Sequence, residues 1–519
     1  MNPQNFRNQS VPFKLTKLAP FIVGLSAFFF IRLLWNYSLG NGDEIYFSTG
    51  HSTFKIHEGT RQQWWDFFKM LWVSHTGRTA DWLSGAVFYW GANVGKWLVS
   101  AITVLCAALI AKSTLKLSGA ITGHNAWLIE ITWILSVLFL FPFATLSSSS
   151  NLLLYSAAIC NYLVPAALLI WSLQFFFIRN GGSVTHSLAA GSTLGIVATM
   201  HEQAAAIVLV WVAIMGLLYL KEIGLKNYLL FSVPALVGSI EMFLAPGLWA
   251  KLGTFNEATP DRPLLQKISL TFFSWNLHYS VLVIGFSILM AASVLTARSL
   301  SLLLRLSIAT VSLILSVSWL YLLSDMDLQS FLEGNSYRTV SVIGSLSLLA
   351  WFIISLVIWL DHGSKIVFTI SAFGVSFGLA ALPGLGQIRV FNYPMLFLLS
   401  SIFLVLLDFI YVKGTQNTRN AQIQKSQSPL EKLLRLTAAI SVGLMIFSSF
   451  FTARNLYVAQ SENYPVGVTF LKAVKQQCGH EKCPLKDIPK LPNRTAFPGY
   501  ADDNKTYVED ILAWIEGSY

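Results

Sequence analysis

Residues 18–44 are LAPFIVGLSAFFFIRLLWNYSLGNGDE, a long apolar run followed directly by a polar turn that ends in two carboxylates. Such a run can cross a bilayer as a helix, which needs roughly 17–25 mostly apolar residues. Similar runs recur along almost the whole chain, in which 54% of the 519 residues are hydrophobic and 12% are charged. Soluble domains carry about 25% charged residues. The sequence therefore predicts an all-α polytopic membrane protein.

We predict about thirteen transmembrane helices from the apolar runs. Their approximate limits are 18–37, 93–111, 126–143, 158–178, 187–200, 203–220, 228–245, 274–296, 306–323, 339–360, 366–383, 393–411 and 435–452. We expect a transmembrane bundle over residues 1–455 and a small external C-terminal tail over residues 456–519.

The first external loop, about residues 38–92, is the longest external connection. Its segment 61–72, RQQWWDFFKMLW, is aromatic and amphipathic, with Arg, Gln and Lys among the Trp and Phe residues. This pattern favours a helix that lies in the membrane interface. A second aromatic run at 81–90 favours the same placement, so we expect interfacial helices in this loop.

The charges of alternate loops orient the chain. One set of loops contains Lys or Arg with few acids, whereas the other contains most of the carboxylates. By the positive-inside rule the N-terminus is cytoplasmic, and the acidic loops and C-terminal tail are external. This bias accounts for the net charge of +10 without a nucleic-acid partner. We expect the bacterial cytoplasmic (inner) membrane, with the tail in the periplasm of a Gram-negative host.

The four cysteines form two groups. Cys106 and Cys160 lie in apolar runs and are expected to pack there. Cys478 and Cys483 lie in the tail as CGHEKC, where an oxidising compartment favours a disulfide. The alternative is a metal pair assisted by His480, for which two cysteines and one histidine are a weak signal.

Asp43 and Glu44 follow the first span at the external boundary of the membrane. A carboxylate beside lipid is only partly hydrated, which raises its pKa toward the range of a general base. We therefore expect Asp43 and Glu44 to be catalytic, with Asp43 preferred. The alternative is a solvated loop start, where Gly-Asp pairs are common.

His75, Arg78 and Asp81 follow the predicted interfacial helix. An arginine suits bidentate binding of a phosphate, so His75 and Arg78 are substrate-binding candidates. A surface Arg78–Asp81 pair within the same loop is the alternative.

Two further polar pairs enter the apolar runs. Asn161 and Tyr162 begin the fourth span and could hydrogen-bond a sugar hydroxyl, or could hydrogen-bond a neighbouring helix instead. His201 and Glu202 lie where the fifth and sixth runs meet, without Gly or Pro. Ionisable groups at membrane depth are functional candidates, whereas a short external turn is the alternative.

Two arginines lie on the predicted outer side, against the charge bias. Arg338 opens the tenth span, and Arg389 precedes the twelfth. Both are candidates for binding an anionic lipid phosphate, and the alternative is contact with lipid headgroups. An Ala245-Pro246-Gly247 turn ends the seventh span.

Residues 15–452 resemble the GT-C superfamily of membrane glycosyltransferases in their layout and in their short motifs. Gly42-Asp43-Glu44, His75-x-x-Arg78, His201-Glu202-Gln203 and the Ala-Pro-Gly turn are similar to a bacterial subgroup that includes O-antigen-modifying glucosyltransferases of the serotype-conversion type. The large soluble C-terminal domain of some members is absent from this sequence.

The resemblance implies transfer of a hexose, with glucose favoured, from a polyprenyl-phosphate-sugar donor to a glycan or glycolipid acceptor such as lipopolysaccharide O-antigen. Asp43 or Glu44 would be the base, and Arg78, Arg338 and Arg389 would hold the donor phosphate. The resemblance does not fix a cofactor, because the loop-one acid of the superfamily is either the base or a metal ligand. A divalent metal, Mg²⁺ or Mn²⁺, shared by the Asp43-Glu44 and His201-Glu202 pairs remains open.

Two other functions compete with a transferase. An O-antigen polymerase would also have many spans and outward arginines, but it usually needs two sizeable external loops. A transporter or flippase would place charged residues at mid-span and often shows repeated halves. Here the ionisable groups cluster at the predicted outer rim, which favours the transferase.

Overall fold

The computed structural model describes residues 13–38, 61–118, 126–139, 153–177, 183–250, 301–311, 366–381, 391–407 and 429–478, together with single positions at 294, 314, 512, 514 and 515. Every regular element among these residues is a helix, and they contain no strand. The all-α prediction is therefore confirmed for the described chain.

The α-helices follow one another as α1 (Phe13–Asn36), α2 (Arg61–Met70), α3 (Thr79–Phe88), α4 (Ala92–Ser118), α5 (Ala126–Phe139), α6 (Ser156–Ala158), α7 (Val164–Phe177), α8 (Val184–Met200), α9 (Glu202–Ile214), α10 (Leu220–Ile223), α11 (Leu225–Leu244), α12 (Ile366–Ala381), α13 (Asn392–Leu407) and α14 (Pro429–Cys478). Three π-helical segments lie between them: π1 (Leu71–His75), π2 (Ile159–Leu163) and π3 (Met215–Tyr219).

Several helices are long and apolar enough to cross a membrane. Within the described ranges there are six: Leu18–Asn36, Ala92–Ser118, Ser156–Phe175, Glu202–Ile223, Leu225–Leu244 and Val442–Cys478. Shorter apolar helices occupy Trp127–Phe139, Leu302–Val311, Val367–Ala380 and Asn392–Leu407. The predicted span 339–360 lies outside the described residues, as does the span 274–296 apart from Val294.

The last helix extends beyond the span predicted for it. We expected a span at 435–452, whereas α14 is one 50-residue helix that continues through Pro465 to Cys478. Residues 456–478, which we assigned to the tail, thus continue this helix. Cys478 is disulfide-bonded, in agreement with the predicted disulfide, although its expected partner Cys483 lies outside the described residues. Cys106 and Cys160 are buried and form no disulfide, as predicted.

Helices α8 and α11 pack almost backbone to backbone. A Cβ atom added at Gly238 would lie 2.0 Å from the Gly195 carbonyl oxygen, and one at Gly191 would lie 2.5 Å from the Phe231 carbonyl oxygen. Small residues permit this approach between membrane helices, where dispersion contacts drive association. The close contact fixes α8, and therefore the position of the His201-Glu202 junction at its end.

Aromatic residues join the later helices to the bundle. The rings of Trp133 in α5 and Phe403 in α13 stack with centroids 3.9 Å apart. The indole nitrogen of Trp211 in α9 donates a hydrogen bond of 3.0 Å to the carbonyl oxygen of Phe368 in α12. A buried indole N–H needs such a partner, so these contacts fix α12 and α13 against the core.

The first loop contributes two helices of different character. Helix α2 agrees with the predicted segment 61–72, and its Trp65 is 64% exposed. Helix α3 instead buries most of one side, including Ala80, Ser84 and Gly85, within the bundle. These small side chains let α3 approach the core closely, so the second aromatic run is packed more deeply than an interfacial helix would be.

The end of the chain returns to the first helices. Trp514 is fully buried, and its ring lies against that of Trp35 in α1 with centroids 6.5 Å apart. The Lys96 ammonium of α4 lies 3.8 Å from the centroid of the Trp514 ring. We call Lys96, Trp35 and Trp514 the Lys96 cluster; it ties the C-terminal end to α1 and α4.

Candidate functional site

Polar side chains from four separate parts of the chain meet in one place. The parts are the connection between π1 and α3, the π2 segment, the α8–α9 junction and the first turn of α13. We call the residues that meet there the Arg78 cluster: Thr76, Arg78, Asp81, Asn161, Tyr162, His201, Glu202 and Tyr393.

An ion pair joins the first loop to the α8–α9 junction. The Arg78 Nε and Nη2 atoms donate to the two carboxylate oxygens of Glu202, at 2.8 and 2.5 Å. The side chains are 11% and 26% exposed, so the pair is largely shielded from water. Burial lowers the pKa of the Arg78 guanidinium, but the combined influence of Glu202, Tyr162 and Asp81 is greater and leaves that pKa above its ordinary value. Arg78 is therefore permanently charged.

Two glycines place Arg78. Gly77 has a φ of +68°, and a Cβ atom there would lie 2.5 Å from the Ala245 Cβ. A Cβ atom at Gly247 would lie 2.7 Å from the Gly77 nitrogen and 2.7 Å from the Trp72 carbonyl oxygen. The connection before α3 and the Ala245-Pro246-Gly247 turn are thus in direct backbone contact. This contact explains why each of the two motifs contains a glycine.

Asp81 is held by two donors. The Thr76 hydroxyl and the Asn161 Nδ2 amide both donate to its carboxylate, the latter at 2.9 Å. Its side chain is 8% exposed. Asn161 itself lies in π2, where its Nδ2 also donates to the Ala157 carbonyl at 2.8 Å. Single π-helical turns are frequent at functional sites because they displace a side chain from the regular helical register.

The junction between α8 and α9 is made by His201. Its backbone is extended, and its Nδ1 atom accepts a hydrogen bond of 3.2 Å from the Gln203 amide. This side chain caps α9, which explains how the helices separate without Gly or Pro. An Nδ1 atom that accepts a hydrogen bond carries no proton, so the imidazole is neutral in this arrangement.

Three rings close the cluster on one side. The Tyr162 ring lies 4.9 Å from that of His201 and 5.4 Å from that of Tyr393, between centroids. His201 and Tyr393 are also 5.4 Å apart. All three side chains are at most 5% exposed. The cluster therefore combines carboxylates, a guanidinium, an amide and aromatic faces.

The structure brings together five of the predicted site residues: Arg78, Asn161, Tyr162, His201 and Glu202. The alternative of a local Arg78–Asp81 pair does not hold, because Arg78 binds Glu202. Asn161 hydrogen-bonds a neighbouring helix, because its amide donates to Asp81 in α3. This is the alternative interpretation given for Asn161 from the sequence.

Of the other predicted site residues, one is described by the structure and four are not. His75 ends π1, three positions before Arg78. The two predicted catalytic carboxylates and two of the predicted phosphate ligands lie outside the described residues: Asp43, Glu44, Arg338 and Arg389.

Sequence reasoning missed three members of the cluster: Thr76, Asp81 and Tyr393. Asp81 was considered only as a partner of Arg78, and Tyr393 was counted as part of an apolar span. The available signal for Tyr393 was the polar pair Asn392-Tyr393 at the start of that span.

A metal site is not evident in the described part of the chain. There, no group of three or more His, Cys, Asp or Glu residues could hold a metal ion. The shared site that we left open also requires Asp43 and Glu44, which lie outside that part.

The fold and the cluster together define a class: a helical protein with several candidate membrane spans and a buried polar centre. No protein-family model matches this chain, and no curated protein is significantly similar to it. We therefore infer a function from the residues themselves.

Proposed function

We propose that this protein is a membrane glycosyltransferase that transfers a hexose, with glucose favoured, from a polyprenyl-phosphate carrier to a surface glycan. The observation that carries the proposal is the Arg78 cluster. Loop one and the α8–α9 junction meet through Arg78 and Glu202, and the nearby Asp81 binds Asn161. Such a concentration of hydrogen-bonding groups in an apolar bundle is costly unless it serves binding or chemistry.

The proposed setting extends the described helices. The chain would have about thirteen spans in the bacterial inner membrane, with the N-terminus cytoplasmic and the tail periplasmic. The cluster would then lie near the external ends of α1 and α4, where a lipid-linked donor and a periplasmic acceptor can both reach it. The layout of a GT-C glycosyltransferase supports this placement by resemblance.

The proposed reaction is a single displacement. The acceptor hydroxyl oxygen attacks the anomeric carbon while Asp43 or Glu44 takes its proton. The bond from that carbon to the phosphate oxygen breaks, and the electron pair leaves with the polyprenyl phosphate. The configuration at the anomeric carbon is inverted.

Positive side chains near the leaving phosphate would lower the barrier, since preorganised charge is often the largest catalytic effect. Arg338 and Arg389 are proposed for this role. Arg78 is already compensated by Glu202. A phosphate role for Arg78 therefore requires that Glu202 be released from the pair.

The test is mass spectrometry of surface glycans from a deletion strain of the host. The strain is complemented with wild type, with Asp43→Asn, Glu44→Gln or the double variant, or with Asp66→Asn as a control for charge loss in the same loop. We expect loss of one sugar per repeat, restored by wild type and by the control but not by the double variant.

Other outcomes would redirect the assignment. Collapse of the glycan to a single repeat would indicate the polymerase. Unchanged glycans in the deletion strain would contradict the transferase and direct attention to transport. Full activity in both single variants and the double variant would remove Asp43 and Glu44 from the mechanism.

A further inference from the structure

The Arg78 cluster contains buried polar atoms that no described residue satisfies. The Tyr393 side chain is fully buried, and its hydroxyl has no hydrogen-bond partner among the described residues. The Asn161 Oδ1 atom is in the same situation, although the Nδ2 atom of that amide donates twice. A buried hydroxyl or carbonyl left unpaired destabilises a fold, and in a native protein it calls for an explanation such as a ligand.

The surroundings of these two atoms limit the chemistry of a ligand. The Tyr393 ring packs against Tyr162 and His201. Glu202 and Arg78 lie near enough for their charges to act on Tyr393. A ligand at this position therefore meets flat aromatic faces together with neutral donors and acceptors.

The charges of the described cluster disfavour an anion. Arg78 is bound by Glu202, and Asp81 adds a second carboxylate. His201 is neutral while its Nδ1 atom accepts the Gln203 amide. The cation of the described cluster is thus already bound by a carboxylate, whereas the carboxylate and amide oxygens of the cluster can accept hydrogen bonds from hydroxyl groups.

We infer that the Tyr393 hydroxyl and the Asn161 Oδ1 atom form a hydroxyl-binding subsite for a hexose ring, a role that rests on the proposed function. The Tyr393 hydroxyl donates to a sugar oxygen, and Asn161 Oδ1 accepts from a sugar hydroxyl. The apolar face of the sugar lies against the rings. The sugar belongs either to the lipid-linked donor or to the glycan acceptor.

The test compares two Tyr→Phe variants of the full chain, purified in detergent. Tyr393→Phe removes the unpaired hydroxyl. Tyr228→Phe is the matched control, because the Tyr228 hydroxyl donates to the Val212 carbonyl at 3.3 Å. Thermal unfolding is followed by tryptophan fluorescence without ligand. We expect the Tyr393→Phe midpoint to equal or exceed that of wild type and the Tyr228→Phe midpoint to fall.

Binding is measured with three kinds of probe. They are farnesyl phosphate, the farnesyl-phosphoryl derivatives of glucose, galactose and mannose, and the octyl glycosides of the same hexoses. Tyr393→Phe should weaken binding of at least one sugar-bearing probe roughly tenfold, the size of one hydrogen bond. It should leave farnesyl phosphate unchanged, and Tyr228→Phe should leave every probe unchanged. Weakening of the farnesyl-phosphoryl hexose identifies the donor sugar, and weakening of the octyl glycoside alone identifies the acceptor.

Several results would overturn the inference. A lower midpoint, or failure to fold, in Tyr393→Phe would mean that the hydroxyl has a structural partner. Equal weakening of farnesyl phosphate and of the sugar-bearing probes would exclude a sugar subsite, as would unchanged binding of all probes. Binding of octyl glycosides alone, weakened by Tyr393→Phe, would retain the subsite while contradicting the lipid-linked donor of the proposed function.

Discussion

Arg78 and Lys96 are both shielded cations close to the first loop, but the protein compensates them differently. Arg78, 11% exposed, is held by the carboxylate of Glu202 through two hydrogen bonds. Lys96, 3% exposed, lies against the face of Trp514, and no carboxylate among the described residues pairs with it.

The difference separates a candidate site from a structural contact. A carboxylate and a guanidinium can each exchange their partner for a ligand, and the same cluster contains the Asn161 Oδ1 atom and the Tyr393 hydroxyl, which lack a hydrogen-bond partner among the described residues. A cation packed on an aromatic ring provides few groups that a ligand could bind. It nevertheless stabilises the contact with a distant segment of the chain by a modest free energy. We therefore assign binding and chemistry to the Arg78 cluster and attachment of the C-terminal end to the Lys96 cluster.

The largest expected effect comes from Gly77→Ala, which displaces Arg78 without touching its charge. The new Cβ would lie 2.5 Å from the Ala245 Cβ at a backbone φ of +68°. Left-handed strain of about 1–2 kcal/mol and overpacking of about 1–3 kcal/mol should together lower the free energy of unfolding by about 3 kcal/mol. Denaturation of the purified protein measures this change.

The matched control for Gly77→Ala is Gly378→Ala in α12. No atom lies within 4 Å of its added Cβ, and Gly378 has an ordinary φ. Alanine there should leave stability unchanged or raise it by about 0.5–1 kcal/mol. Equal effects at the two glycines would contradict the backbone contact that we describe.

Glu202→Gln should have the next largest effect, since it keeps the shape of the side chain and removes the carboxylate that is hydrogen-bonded to Arg78. Breaking a fully buried pair costs about 3–5 kcal/mol, and we expect about 2 kcal/mol here because solvent screens a partly exposed pair. Glu202 is 26% exposed. A double-mutant cycle with Arg78→Gln isolates the coupling. A coupling energy below about 0.5 kcal/mol would show that the two charges act independently.

These contacts also show where prediction from sequence ends. The helices were predictable because length and hydropathy are local properties of each apolar run. The polar residues within those runs could also be recognised as candidates, since polar groups at membrane depth need a reason. Asn161 and His201 were found in this way.

The partners of those residues were not predictable. Arg78 has a carboxylate three residues away at Asp81, yet it binds Glu202, which lies 124 positions along the chain. That choice depends on the packing of Gly77 against the turn at Gly247, which no local pattern encodes. Tyr393 was missed because a tyrosine at the start of an apolar run is ordinary for a membrane interface.

Changes in the Lys96 cluster should cost no more stability than Glu202→Gln, and loss of the ring should cost more than loss of the charge. Trp514→Leu leaves the ammonium of Lys96 without its ring, which should cost about 2 kcal/mol. Lys96→Met removes the charge but keeps the length, and replacing a buried charge by an apolar group is often neutral, so we expect a change below about 1 kcal/mol. Unfolding midpoints compare the two variants. A larger loss in Lys96→Met than in Trp514→Leu would mean that Lys96 has a function beyond packing.

The smallest effect is the pH dependence of the Arg78 pair. Burial lowers the pKa of Arg78, but Glu202, Tyr162 and Asp81 together keep it above its ordinary value. As long as Glu202 is ionised, the stabilisation is therefore complete at any pH below the unfolded pKa of Arg78. It is lost only when the pH rises through the still higher folded pKa. The stability difference between wild type and Arg78→Gln should therefore be constant from about pH 7 to 9.5.

Arg78→Lys provides the contrast, since lysine deprotonates near pH 10.4 or, beside a carboxylate, somewhat above it. The difference between wild type and this variant should widen at about pH 10–11, where lysine starts to lose its charge and arginine does not. Unfolding midpoints across the pH series measure both differences. If the stability difference between wild type and Arg78→Gln narrowed below pH 9.5, a titrating group other than Glu202 would be compensating Arg78. Arg78 and Lys96 would then differ less than their contacts indicate.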